Sequence, residues 1–329
     1  MHNARYGRAR LASLGSLARV VSVIAALVAA SLEGQATPPM LGEVTAARIV
    51  RDDRALVLDA TEGRVHLVDG RGRAIAGFGR SGSGPREFRA PERLERFDAR
   101  TFAVIDRANG RLTLLRVEAD TIRFGGEFVL SPDTYAFCRA GTVLLAAVRG
   151  DSGYQRVSVL DDSLRRLRAF GSARADQPPP VRRRLAETRL GCPNNRQVIA
   201  AEYLGPLVSS YAISGQEQWQ TMLPNHRSIR LEASEGGTRF TYPRTGHHST
   251  LEVVPLDSTR VAISLTLTYL GPARDTATQR GTIFELDLRT GRLLSERTSP
   301  ARLRDALGSL QLYDFEDPEP RIEIRRTSR

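Results

Sequence analysis

The chain contains no lysine. All 48 of its basic residues are arginine, set against 37 acidic residues for a formal charge of +11 over 329 residues. The arginines are spread through every segment, which reads as compositional bias. The alternative reading is an anion-binding surface, because a guanidinium fork matches carboxylate and phosphate. Net charge of this sign favours polyanions but does not specify a fold. Cysteine is nearly absent too, with only Cys138 and Cys192. Neither lies in a Cys-x-x-Cys or beside a histidine, so the spacing argues against a zinc site. His247-His248 is the only histidine pair, read as loop residues in solvent, and His66 and His226 are isolated. No Gly-x-Ser-x-Gly occurs, and no carboxylate pair stands out as general acid and base. The glycine-rich run Gly77–Gly84 lacks a following Gly-Lys-Ser/Thr and leads into a strand, which argues against a phosphate loop. Trp219, the single tryptophan, alternates with Gln218 and Gln220 and reads as a packed outer-strand residue.

Long apolar runs are equally scarce. Val20–Leu32 is the one candidate, preceded by Arg5, Arg8, Arg10 and Arg19 and followed by Gly34-Gln35-Ala36 and a Thr37-Pro38-Pro39 break. That order reads as a secretory signal peptide over residues 1–36, cleaved after Ala36. The run is short for a transmembrane helix, which needs about 20 apolar residues; an uncleaved anchor is the alternative. No cysteine lies near the cleavage site, which disfavours a lipoprotein. The mature domain, residues 37–329, is expected to be secreted or periplasmic, with no stable membrane span after cleavage. Export to an oxidising compartment permits a disulfide between Cys138 and Cys192. Both fall just before a turn and a buried strand, in YAFCRAGTVLLAA and RLGCPNNRQVIAAE.

What is abundant is a repeat. An extended segment, a polar turn and a short apolar strand recur six times, with turns near Arg54, Arg100, Gly141, Asn195, Ser258 and Gly308. The gaps of roughly 40 to 60 residues match the period of propeller blades. Further strands follow each hairpin, and Asp59-x-x-x-Gly63-Arg64 matches Asp106-x-x-x-Gly110-Arg111 position for position. The pattern predicts an all-β chain, a six-bladed β-propeller of four-stranded antiparallel blades. The last unit supplies three strands, so the fourth is expected from the mature N-terminus, around Thr37 to Val44, closing the ring. Two segments break the rhythm. Ser172–Leu190 is expected to hold a short helix with Val181 and Leu185 inward, and Leu223–Gly246 an extra hairpin around Ser234–Gly237. Excursions of this kind on a rigid scaffold are where binding often resides.

FGRSGSGPREFRAP followed by VIDRANGRLTLL resembles the NHL-repeat family of six-bladed propellers. Gly84-Pro85-Arg86-Glu87-Phe88 stands where that family has Gly-Pro-Gly-Glu-Phe, with Arg86 in place of the usual glycine, and Asp106, Asn109, Gly110 and Arg111 match the later portion. The match covers the first two blades, and the whole is similar to exported bacterial propellers of unassigned function. The resemblance implies the fold and little about activity, because propellers host many functions. Related propeller lyases carry a channel metal, and calcium-dependent lactonases use inner-strand Glu, Asn and Asp ligands. Asn194, Asn195, Glu252 and Asp257 are of those types but read as lying at or near turns.

The sequence therefore points to an exported binding or scaffold module whose partner is a cell-envelope protein or glycan. No catalytic, cofactor or metal residue is assigned. The basic run Arg182, Arg183 and Arg184 is the candidate anion-binding rim, against a solvated helix face as the plain reading. Export disfavours nucleic acid. The alternative is a metal-dependent hydrolase or lyase with calcium or zinc in the central channel.

Overall fold

Short strands with apolar residues on both faces need a partner layer on each side, and a closed ring supplies one. The computed structural model describes residues 41–131, 133–149, 154–268, 281–315 and 320–327. The expected signal peptide lies outside them. Within this range the chain is a six-bladed β-propeller. Blade 1 comprises β1 (Val44–Arg51), β2 (Arg54–Asp59), β3 (Arg64–Asp69) and β4 (Ala74–Phe78). Blade 2 comprises β5 (Pro91–Arg96), β6 (Thr101–Asp106), β7 (Arg111–Glu118) and β8 (Thr121–Val129). Blade 3 is β9 (Thr134–Ala140), β10 (Val143–Val148), β11 (Gln155–Leu160) and β12 (Arg166–Ser172). Helix α1 (Pro179–Leu185) precedes blade 4, which is β13 (Thr188–Asn194), β14 (Gln197–Glu202), β15 (Leu207–Ala212) and β16 (Glu217–Met222). The hairpin β17 (Arg230–Ser234) and β18 (Gly237–Thr241) leads to blade 5, made of β19 (His247–Pro255), β20 (Arg260–Thr268), β21 (Gly281–Asp287) and β22 (Leu293–Ser299). Blade 6 shows β23 (Arg302–Leu307), β24 (Leu310–Phe315) and β25 (Arg321–Arg326). All six sheets are antiparallel meanders paired in chain order. Their first strands neighbour one another around the centre.

The second strand of each blade explains the run of apolar residues in the sequence. Successive side chains on a strand point to opposite faces, and in a ring both faces meet another blade. Leu56 and Leu58 pack with blade 2, whereas Ala55 and Val57 pack with blade 6. Val198 and Ala200 face blade 3, and Ile199 and Ala201 face blade 5. The same division recurs around the ring, so six apolar clusters fill the six interfaces between blades.

Of the segment expected to complete blade 6, residues 37–40 lie outside the described range, Leu41–Glu43 form no strand, and Val44 opens β1. Closure of the described ring runs through side chains. Leu310, Leu312 and Ile322 of blade 6 pack on Val44, Ala47, Ile49 and Val57 of blade 1. Arg304 donates to the carbonyls of Val44 and Thr45 at 2.9 Å each.

A fully buried carboxylate lies at or one residue before the end of the second strand of four blades: Asp59, Asp106, Glu202 and Asp314. Asp59 accepts the Gly42 N–H at 2.6 Å, and Asp106 accepts those of Arg89 and Ala90 at 3.0 and 3.2 Å. Each thereby holds the chain entering its own blade. At the glycine-rich turn before Phe88, Asn109 bridges Asp106 and the Gly82 carbonyl at 2.8 and 3.0 Å, and Arg111 donates to the carbonyls of Gly84 and Glu87 at 3.1 and 2.8 Å. Arg86 has φ of +61°, a conformation in which most side chains are strained. Phe88 seals this crossover: it is 1% exposed, and a Cβ on Gly79 would come within 2.5 Å of its ring.

Phe88→Ala is expected to lower the unfolding free energy by about 3–5 kcal/mol through the cavity it leaves. Phe124→Ala, at an exposed position on the outer strand β8, is expected to cost under about 1 kcal/mol. Denaturant titration of both variants checks the contrast.

Candidate functional site

Six inner strands converging on one axis leave room for long side chains, and here most are arginine. Arg48 of β1 and Arg93 of β5 share the carboxylates of Glu95 and Glu252. Arg48 lies 2.7 Å from Glu95 and 2.9 Å from Glu252; Arg93 lies 3.0 and 2.7 Å from the same two. All four side chains are at most 8% exposed. Arg304 joins from β23, pairing with Asp314 at 2.8 Å and approaching Glu252 at 3.8 Å. Burial pushes the Glu252 carboxyl up, but the charges of Arg48, Arg93 and Arg304 outweigh it and hold the group well below the usual carboxylate range. This network ties blades 1, 2, 5 and 6 together across the channel.

Arg189 of β13 differs. Its guanidinium lies over the Tyr203 ring at 4.5 Å and donates to the Tyr135 carbonyl at 3.3 Å, and its buried Nε–H has no acceptor. Burial, reinforced by the like charge of Arg93, lowers its pKa below the ordinary arginine value. Among the described residues the channel thus has more guanidinium than carboxylate, although Glu252 Oε1 accepts no hydrogen bond.

At the end of the channel formed by the β9–β10 and β13–β14 hairpins sits a cavity of about 160 Å³. Its wall includes Cys138 and Cys192, whose Cα atoms are 5.6 Å apart and whose sulfurs are joined. A second, more open hollow of about 480 Å³ lies between blades 3 and 4, beside Gly141 and Asn195.

The opposite end carries the two excursions. Val181 and Leu185 bury one side of α1, and Pro at its first turn suits a helix start. The β17–β18 hairpin leans on it, with Thr238 Oγ1 donating to the Pro180 carbonyl at 2.8 Å. Arg182 lies over Tyr154 at 4.6 Å; Arg184 lies over Phe240 at 5.3 Å and pairs with Glu187 at 2.9 Å; Arg183 is exposed. The Phe240 and Tyr242 rings stack at 6.3 Å.

The histidine pair is not in solvent. His247 and His248 open β19 and are 7% and 6% exposed. Burial depresses both pKa values, that of His248 to about 4 with help from Arg227 and His247. His248 clasps the base of the hairpin: its N–H donates to the Arg227 carbonyl at 2.9 Å, and Arg227 N–H donates to its Nδ1 at 3.1 Å. Sequence reading missed this because the inner strand begins earlier than the turn pattern suggests. Glu252 was likewise read as lying near a turn but is a central channel residue, whereas Asp257 is in a turn and pairs with Arg260 at 2.8 Å. Asn194 caps its own turn through the Arg196 N–H at 2.9 Å. Trp219 is buried on β16 and donates to the Leu288 carbonyl at 3.0 Å.

Among the described residues one mixed group has metal-ligand types close together: Asp59, Glu62 and His66, with donor atoms within 4.8 Å. The two Asp59 oxygens already accept the Gly42 and Glu62 N–H groups at 2.6 and 3.0 Å, which makes Asp59 a structural cap first.

No family model matches the chain, and no curated protein matches it in sequence. Solved structures match in shape. A Bacteroides fragilis protein whose export is presumed aligns over 90% of this chain and 93% of its own, at 11% identity and a TM-score of 0.54. A member of the DUF4221 family from Bacteroides vulgatus aligns over 89% and 95%, at 6% identity and a TM-score of 0.54. Likeness at these identities shows the propeller fold alone. No helix among the described residues is long and apolar enough to cross a membrane.

Glu252→Gln is expected to cost about 3–5 kcal/mol at neutral pH, because it strips a buried countercharge from three arginines. The depressed pKa adds stability that is present above the ordinary value of 4.5 and is lost as pH falls below it. The variant should therefore lose part of the acid limb of the parent's stability profile, as followed by urea titration from pH 6 to pH 3.

Proposed function

We propose that this protein is an exported propeller that binds an acidic glycan of the cell envelope on the ledge formed by α1 and the β17–β18 hairpin. One observation carries the reading: a stacked aromatic pair, Phe240 and Tyr242, lies beside the Arg182–Arg184 run at the same end of the ring. Aromatic faces accept the C–H face of a sugar, and guanidinium forks suit its carboxylates. The helix and hairpin brace each other and rest on the blades, so the ledge is rigid before binding, which limits the entropy lost on association. The NHL-like character of the first two blades is part of the same proposal, supported by the Asn109 and Arg111 bonds into the glycine turn.

Polygalacturonate is expected to bind in titration calorimetry, and neutral dextran is not. Tyr242→Ala and Arg183→Glu should each weaken binding at least tenfold with little change in melting temperature. Absence of binding to any acidic polymer, or turnover of an ester or lactone abolished by a channel substitution, would overturn the reading.

Export has its own test. The secreted protein should resist iodoacetamide until it is reduced, reporting a Cys138–Cys192 disulfide, and reduction should lower stability by about 2–4 kcal/mol. Free thiols in freshly secreted protein would count against it.

A further inference from the structure

The cavity at the hairpin end of the channel is unbalanced in charge and divided in character. Its polar wall is made by Arg48, Arg96, Arg139 and Arg304 with Glu95 and Asp305. Arg48 is matched by Glu95 at 2.7 Å, and Arg96 by Asp305 at 3.0 Å. The acid partner of Arg304 is Asp314, which it shares with Arg302. Arg139 has no ion pair among the described residues: its Nε donates to the Gly141 carbonyl at 3.0 Å and its guanidinium lies over Phe97 at 5.2 Å. Asp98 is close enough to feel its charge without pairing. A half-buried guanidinium on the cavity wall without a countercharge favours an anion beside it.

The other wall is apolar, with Phe137, Leu190, Val253 and Pro255 alongside the joined cysteines. A volume of about 160 Å³ is the space of about five liquid water molecules. That suits a short-chain acid rather than a polymer. Inorganic phosphate would satisfy the arginines but would leave the apolar wall against a strongly hydrated ion.

We propose that this cavity binds a small monocarboxylate, its carboxylate held by Arg139 and its apolar body against Phe137, Leu190 and Val253. The site is separate from the glycan ledge. It is lined by the later halves of the inner strands and their hairpin ends, whereas the ledge grows from the segments that precede those strands.

The test is titration calorimetry of the full protein with acetate, butyrate, benzoate and inorganic phosphate at constant ionic strength. One saturable site per chain is expected, with butyrate or benzoate tighter than acetate and phosphate. Arg139→Gln should weaken it at least tenfold, and Ala306→Leu, on the cavity wall, should abolish it by filling the space, both with melting curves like the parent's. Tyr242→Ala should leave it unchanged. Failure of butyrate and benzoate to saturate, equal or tighter binding of phosphate, or full affinity in Arg139→Gln would each overturn the proposal. Loss of carboxylate binding in Tyr242→Ala would overturn the separation of the two sites.

Discussion

Compensation of buried positive charge at the centre of the ring is the constraint on which the rest of the structure depends. Six inner strands bring Arg48, Arg93, Arg189 and Arg304 into a buried space, and among the described residues Glu95, Glu252 and Asp314 oppose them directly. Isolated charges there would cost several kcal/mol each. Sharing Glu252 among arginines from blades 1, 2 and 6 spreads one countercharge over distant parts of the chain. Contacts such as Arg93 to Glu252 span 159 residues. Blade positions around the axis are thereby linked through a hub as well as through neighbouring faces.

The apolar part of the design is simpler. Two-residue periodicity on the second strands divides each blade's side chains between two neighbours, so no blade has a core of its own. Stability is therefore shared around the ring, and closing blade 6 on blade 1 completes a cluster that neither holds alone. Asp59 and Asp106 perform a local task inside this frame: they anchor the backbone entering blades 1 and 2 where the regular pairing stops.

Fold and blade phase were legible in the sequence because the repeat is local. Each hairpin is written in a run of about ten residues, and the glycine turn before Phe88 marks where one blade passes to the next. The turns near Arg54, Gly141, Asn195 and Gly308 lie between the strands expected of them, as do the helix and the extra hairpin. The centre was not legible in the same way. Glu252 and His247 differ from surface residues of the same type only by the company they keep, and that company comes from blades far apart in the chain.

Composition and spacing alone determined the propeller, its six units and the two excursions, because strand period and turn chemistry act over a few residues. Only the tertiary structure decided which arginines are buried together, which carboxylate they share and which one, Arg139, is left facing a cavity. The physical reason is that charge compensation is a property of distance in space. In this ring Arg48, Arg93 and Arg96 each find a countercharge on another blade.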